Sequence, residues 1–179
     1  MGRLNRAEYH EWLDQQPKGR FERVAGEPVA MAPERWIHAK LKAQVWEIFK
    51  RELRRRNLPC EAAPDGMTVE IGDDTDYEPD ALINCGPPIP LDAIAAPNPV
   101  VIVEVLSPGT RALDTGGKLA DYFKVASVEH YLVVRPVQRD VIHHRREGDR
   151  IETRIVHAGA IDLDPPGIAL DLTELFETL

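Results

Sequence analysis

Asp80, Glu104 and Lys118 are the residues whose types and spacing invite chemistry. Glu104 stands in Val100-Val101-Ile102-Val103-Glu104-Val105-Leu106-Ser107, an aliphatic run bounded by Pro97-Asn98-Pro99 and Ser107-Pro108-Gly109. Such a run predicts a strand buried on both faces of a sheet. Counting by twos puts Glu104 on one face with Val100, Ile102 and Leu106, so its carboxylate should enter packed surroundings. An ionised carboxylate there must find a cation or take up a proton. Asp80 opens a second strand-like run, Asp80-Ala81-Leu82-Ile83-Asn84, behind a Pro79 that is tolerated at a strand's start. If the two strands are neighbours, their backbones lie ~4.8 Å apart and both carboxylates could grip one divalent ion. Oxygen ligands from Asp80 and Glu104, completed by a strand carbonyl such as Val105 and by waters, suit Mg²⁺ or Mn²⁺. Lys118, on the helix after the Glu104 strand, could orient an attacking water or neutralise a phosphate. The plainer account of the same residues is a structural ion pair between Glu104 and Lys118.

The elements that would position them follow from pattern. Asn5 and Glu8 form a capping box for a short helix that buries Tyr9, Trp12 and Leu13. Phe21–Val24 and Pro28–Met31 flank Ala25-Gly26-Glu27 as a tight hairpin. From Pro33 to about Arg56, the stripe Ile37, Leu41, Val45 and Ile48 predicts the longest helix. Its end carries Arg51, Arg54, Arg55 and Arg56, either a solvated basic helix end or a set of phosphate contacts. Cys60–Ala63 and Met67–Ile71 read as strands around a Pro64-Asp65-Gly66 turn, and Gly72–Asp76 as a solvated acidic loop. Cys85 to Pro99 is a long Pro-rich and Ala-rich connection. Asp114 or Thr115 should cap a helix to about Ala126, with Lys118 at the border of its buried face. Strands follow at Glu129–Arg135, Asp140–Arg146 and Arg150–Val156, the last two a hairpin through Glu147-Gly148-Asp149, and Ile168–Phe176 closes the chain as a strand and a helical turn.

This ordered set resembles the PD-(D/E)XK nuclease superfamily and, more narrowly, the Uma-type family of restriction endonucleases. The matching positions are Phe21-Glu22, Gly26-Glu27, Met31-Ala32-Pro33, His38, Glu78-Pro79-Asp80, Val103–Pro108, Asp114, Lys118 with Tyr122, and Glu129–Val133, spanning roughly residues 20 to 172. The superfamily pattern sets its lysine two residues after the glutamate, where this chain has Leu106; the Uma-type pattern draws it from the next helix, where Lys118 stands. The resemblance implies an α/β, restriction-endonuclease-like fold: a mixed sheet flanked by helices, with antiparallel C-terminal strands, in one domain over residues 1–179. It also implies a Mg²⁺-dependent endonuclease acting on nucleic acid, with DNA the expected substrate and Asp80, Glu104 and Val105 as metal ligands. Lys118 would be the water-orienting cation, with Glu22, His38 and Tyr122 in support. The alternative is an inactive module of the same fold that binds nucleic acid or a protein partner; a homodimer is left open.

The bulk of the chain bounds these readings. Its 179 residues, 43% hydrophobic, suit one core. A formal net charge of -8 argues against broad affinity for duplex nucleic acid while permitting a local basic patch. Cys60 and Cys85 lack zinc-site spacing and are expected as reduced thiols in a cytoplasmic protein. No run approaches the ~20 apolar residues of a membrane span. His143 and His144, adjacent on a strand, should point to opposite faces and lie at the surface. Asp73, Asp74 and Asp76 lack the later glutamate of a calcium loop.

Overall fold

A computed structural model describes residues 2–106, 113–177 and 179, and no side chain at positions 113 to 115. The N-terminal helix α1 (Arg6–Asp14) has the expected reciprocal capping box between Asn5 and Glu8. The hairpin of β1 (Phe21–Val24) and β2 (Glu27–Ala30) turns on Ala25 and Gly26, both at positive φ (51° and 81°), which matches the right-handed strand twist. Helix α2 runs Trp36–Arg55 and buries Leu41, Val45, Ile48, Phe49 and Leu53. Then come β3 (Cys60–Pro64), β4 (Val69–Ile71), β5 (Thr75–Tyr77), β6 (Ala81–Cys85), β7 (Pro99–Val105), α3 (Leu113–Tyr122), β8 (His130–Arg135), β9 (Asp140–Glu147), β10 (Arg150–Val156), β11 (Ala160–Leu163), β12 (Ile168–Asp171) and α4 (Leu172–Leu175).

The core is a mixed six-stranded sheet in the order β10-β9-β8-β7-β6-β3. Only β7 and β8 in it run parallel, joined over the sheet by α3, as a parallel pair requires. One face packs on α2, α4 and the β11–β12 hairpin through Ile83, Val101, Val103, Leu132 and Val134. The other face packs Leu82, Ile102, Tyr131 and Val133 against Tyr122 and Phe123, beside a smaller sheet ordered β2-β1-β5-β4. The expected fold class is therefore present, with the two helices on opposite faces.

Several expectations are corrected. Cys60 and Cys85 are register partners across β3 and β6 and form a disulfide, not two thiols. Adjacent antiparallel strands bring opposed Cβ atoms within bonding reach, a proximity that 25 residues of separation concealed. The acidic stretch is not wholly a solvated loop: β5 is a middle strand, and Asp76 is buried against Arg23 (2.7 Å) and Arg6 (3.0 Å). His143 and His144 do face opposite ways but are buried. His143 bonds His130 at 2.9 Å, while His144 stacks on Tyr131 and bonds Thr153. Helix α3 ends at Tyr122 rather than Ala126, because Lys124 and Val125 already donate three residues back. Val100 joins the α2 cluster instead of sharing Glu104's surroundings, near a register shift at Ile83/Asn84. Ser107 and Pro108 lie outside the described residues, as do the side chains of Asp114 and Thr115.

Candidate active site

The register between β6 and β7 pairs Ala81 with Val103, so Asp80, one residue earlier, comes beside the end of β7. Its Oδ2 accepts the Val105 backbone N–H at 2.6 Å, which fixes the carboxylate against the strand that carries Glu104. On α3, Lys118 and Tyr122 are four residues apart and lie one above the other. Both reach Glu104 Oε1: the Lys118 ammonium at 3.0 Å and the Tyr122 hydroxyl, as donor, at 2.7 Å. Lys118 also donates to Glu22 Oε1 at 2.9 Å, and the same oxygen accepts the Glu78 N–H. The aliphatic strand's misplaced carboxylate thus has the cation that its burial demanded.

Helix α2 closes the other side. His38 Nε2 lies 2.6 Å from the Val105 carbonyl and 3.1 Å from Asp80 Oδ2, while Nδ1 is 2.6 Å from Glu34. Every neighbour is an acceptor, so the imidazolium satisfies the ring best. Burial works against that charge, yet Asp80 and Glu34 outweigh it and push His38 up to about 9. One turn on, Lys42 is held by Glu34 and Asp65, each at 2.6 Å, with Asp80 at 3.6 Å. Arg20 bridges Asp65 and Glu78 at the rim. Arg20, Glu34, His38, Lys42, Asp80 and Lys118 are among the residues that line a cleft of about 550 Å³.

The electrostatics divide the roles. Burial, with Asp80 and Glu22 adding to it, pushes the Glu104 carboxyl up to about 7 against the pull of Lys118 and Tyr122. Lys118 is held above the ordinary lysine range: burial opposes its charge, but Glu104 and Glu22 prevail. It is a fixed cation, unsuited to taking a proton. Burial raises Tyr122 as well, so its hydroxyl stays a donor.

Asp80, Glu104, Val105, Lys118, Glu22, His38 and Tyr122 are all brought together. The arginines are not. Arg51, Arg54, Arg55 and Arg56 lie at the far end of α2, at least 13 residues beyond His38, or ~20 Å along the axis. Arg51 pairs with Glu174, and Arg55 and Arg56 with Glu52. Sequence reasoning missed Lys42, Glu34, Arg20 and Asp65. The signal was available in part, since Glu34, His38 and Lys42 repeat every fourth residue beside the Leu41 stripe.

The family model Uma2, described as "Putative restriction endonuclease", matches residues 6–175. The chain belongs to the Uma2 family. A curated relative, the uncharacterised protein slr1290 of Synechocystis, is 25% identical over 180 residues, 99% of this chain and 93% of the relative. A crystal structure from Anabaena variabilis, titled a "putative nuclease belonging to DUF820", superposes with a TM-score of 0.74 over 94% of this chain and 96% of that one. At 15% identity this likeness establishes the fold. The cleft of this Uma2 protein therefore lies within a restriction-endonuclease-like domain, between α2, α3 and the β6–β7 pair.

Proposed function

We propose that this protein is a divalent-metal-dependent nuclease hydrolysing phosphodiester bonds, with DNA as its substrate. The observation that carries the reading is the Lys118 ammonium shared between Glu22 and Glu104 in the cleft that Asp80 enters from the neighbouring strand.

The donor set fits a hard cation: Asp80 and Glu104 supply carboxylate oxygens and Val105 a carbonyl. These three would hold Mg²⁺ or Mn²⁺, which when bound supplies Lewis-acid polarisation of a phosphodiester and neutralises its charge. The chain's own groups do the rest. Lys118, permanently charged, stabilises negative charge near Glu104. Tyr122 fixes Glu104 Oε1 by donation. His38 is bonded to the Val105 carbonyl and Asp80, two of the groups that would hold the metal.

One observation favours a second reading, a non-catalytic module of the same fold that binds nucleic acid or protein. Among the described residues no three His, Cys, Asp or Glu side chains stand ready around one point, because the carboxylates are turned onto Lys118 and His38. Incubating the protein with supercoiled plasmid and with single-stranded DNA and RNA, in Mg²⁺ and in Mn²⁺, separates the two. Cleavage by wild type that disappears in Asp80→Asn and Glu104→Gln is the expected result. No cleavage of any substrate in either metal would leave the binding module as the better account.

A further inference from the structure

Strand β10 is the last strand of the six-stranded sheet, and among the described residues no other strand pairs with its outer side. Native edges are usually blunted by lysine, proline, a bulge or extreme shortness. This one has no Pro, no Lys and a ladder with β9 unbroken over seven residues, and its charged residues, Arg150, Glu152 and Arg154, alternate in sign along one face of Arg150-Ile151-Glu152-Thr153-Arg154-Ile155-Val156. Ile151 and Ile155 are 41% and 52% exposed although they are β-branched aliphatics on one face.

The backbone of that edge can be assigned. Gly148 and Asp149 form a two-residue turn, closed by Glu147 opposite Arg150. The closing pair of such a turn exchanges its backbone bonds internally, so Arg150, and by alternation Glu152 and Arg154, direct N–H and C=O toward β9. Ile151, Thr153 and Ile155 then direct theirs outward, as an open template.

We propose that this edge joins a second copy of the chain, β10 against β10 antiparallel about a two-fold axis at Thr153, extending the sheet across both subunits. The sequence is self-complementary in that register and in no neighbouring one. Thr153 meets Thr153 of the partner subunit, Ile151 meets the partner's Ile155, and Glu152 meets the partner's Arg154. Each outward-facing N–H then has a carbonyl opposite, and aliphatic pairs fill one face. On the other face, Glu152 and Arg154, which already pair within a chain at 2.9 Å, become a four-membered ring of alternating charge. A shift of the register by two residues would set unlike side chains against each other and lose this match. The inference does not depend on whether the cleft is active.

Charge reversal tests it. Glu152→Arg makes the four paired charges all positive and Arg154→Glu makes them all negative, so each variant repels its own copy while the two attract one another. Arg154 is exposed and Glu152 half-buried, and thermal melts check that the variants stay folded. In sedimentation velocity of the full chain over a concentration series, wild type is expected to dimerise. Each single variant should weaken that association by roughly tenfold, from like charges opposed in place of unlike ones, and an equimolar mixture should restore it. The pairing is overturned if wild type stays monomeric up to about 1 mM, the weakest association of interest. It is equally overturned if both single variants associate like wild type, or if mixing them restores nothing.

Discussion

Lys118 pairs with two carboxylates at once, Glu22 and Glu104, and its removal should therefore have a cost that depends on pH. Glu104 titrates near 7 in the folded protein, above the ordinary 4.5, so the fold prefers its protonated form. For an acid with a raised folded pKa, the contribution to stability is present below the unfolded value and is lost as pH rises through the folded one. Lys118→Met takes away the main force opposing that rise. We expect the variant to lose roughly 3 to 5 kcal/mol at pH 8, the scale of a broken buried pair, and much less at pH 5, where Glu104 carries its own proton. Denaturant midpoints at both pH values, without metal, measure this; equal losses at the two would show that Lys118 acts through packing alone. Cleavage should vanish in the same variant, since no other cation touches Glu104 Oε1 among the described contacts. At this scale the sequence was informative where a residue contradicted its surroundings. Glu104 in an aliphatic strand demanded a partner, whereas Lys42 on an amphipathic helix contradicts nothing around it in sequence, and only the fold shows it enclosed by Glu34, Asp65 and Asp80.

The elements carry two opposite pH responses. On α2, His38 is held charged by Asp80 and Glu34, with a folded pKa of about 9 against 6.5. Its contribution is complete below pH 6.5 and is lost as pH rises through 9. His38→Gln should flatten the alkaline fall in melting temperature over that window in metal-free protein; an unchanged slope from pH 7 to 9.5 would deny the imidazolium. In the β8–β9 pair, burial keeps His130 and His143 neutral, with pKa values pushed down to about 4. There the unfolded chain takes up protons that the fold refuses, so stability falls as pH drops from 6.5 toward 4. His143→Gln should lessen that acid loss, read from melting temperatures at pH 7 and 5; a variant as acid-sensitive as wild type would place the cause elsewhere. Element patterns were legible where they were long. The α2 stripe and the β9–β10 hairpin stand as expected, but β5 and β11, three and four residues with polar members, have no room to show alternation. The burial of the histidines and the Cys60–Cys85 bond arise only from strand pairing, which local sequence does not encode.

For the whole molecule, charge decides how nucleic acid can approach. The chain carries a formal -8, and four acids and four bases line the cleft, with Asp65 and Glu78 engaging Lys42 and Arg20 beside them. The cleft's own residues therefore offer phosphate no surplus of positive charge. The arginine cluster at the end of α2 keeps some, because Glu52 and Glu174 offset only part of it. Two components of binding should follow, separable by their causes. A metal-dependent component belongs to the cleft and should be absent in Asp80→Ala, whose melting temperature should also fail to rise with Mg²⁺ as wild type's does, since a ligand of the native state stabilises by mass action. A metal-independent component belongs to Arg54 and Arg56, and replacing both with Ala should reduce the slope of log affinity against log salt by about 1 to 2. Fluorescence anisotropy with a nuclease-resistant oligonucleotide, with and without Mg²⁺ over a salt series, reads both components on the same three proteins. If Mg²⁺ strengthens binding to Asp80→Ala as much as to wild type, the ion is acting on the nucleic acid and the cleft is not its site. If the arginine variant keeps the wild-type slope, the end of α2 is a solvated helix terminus and phosphate is held elsewhere.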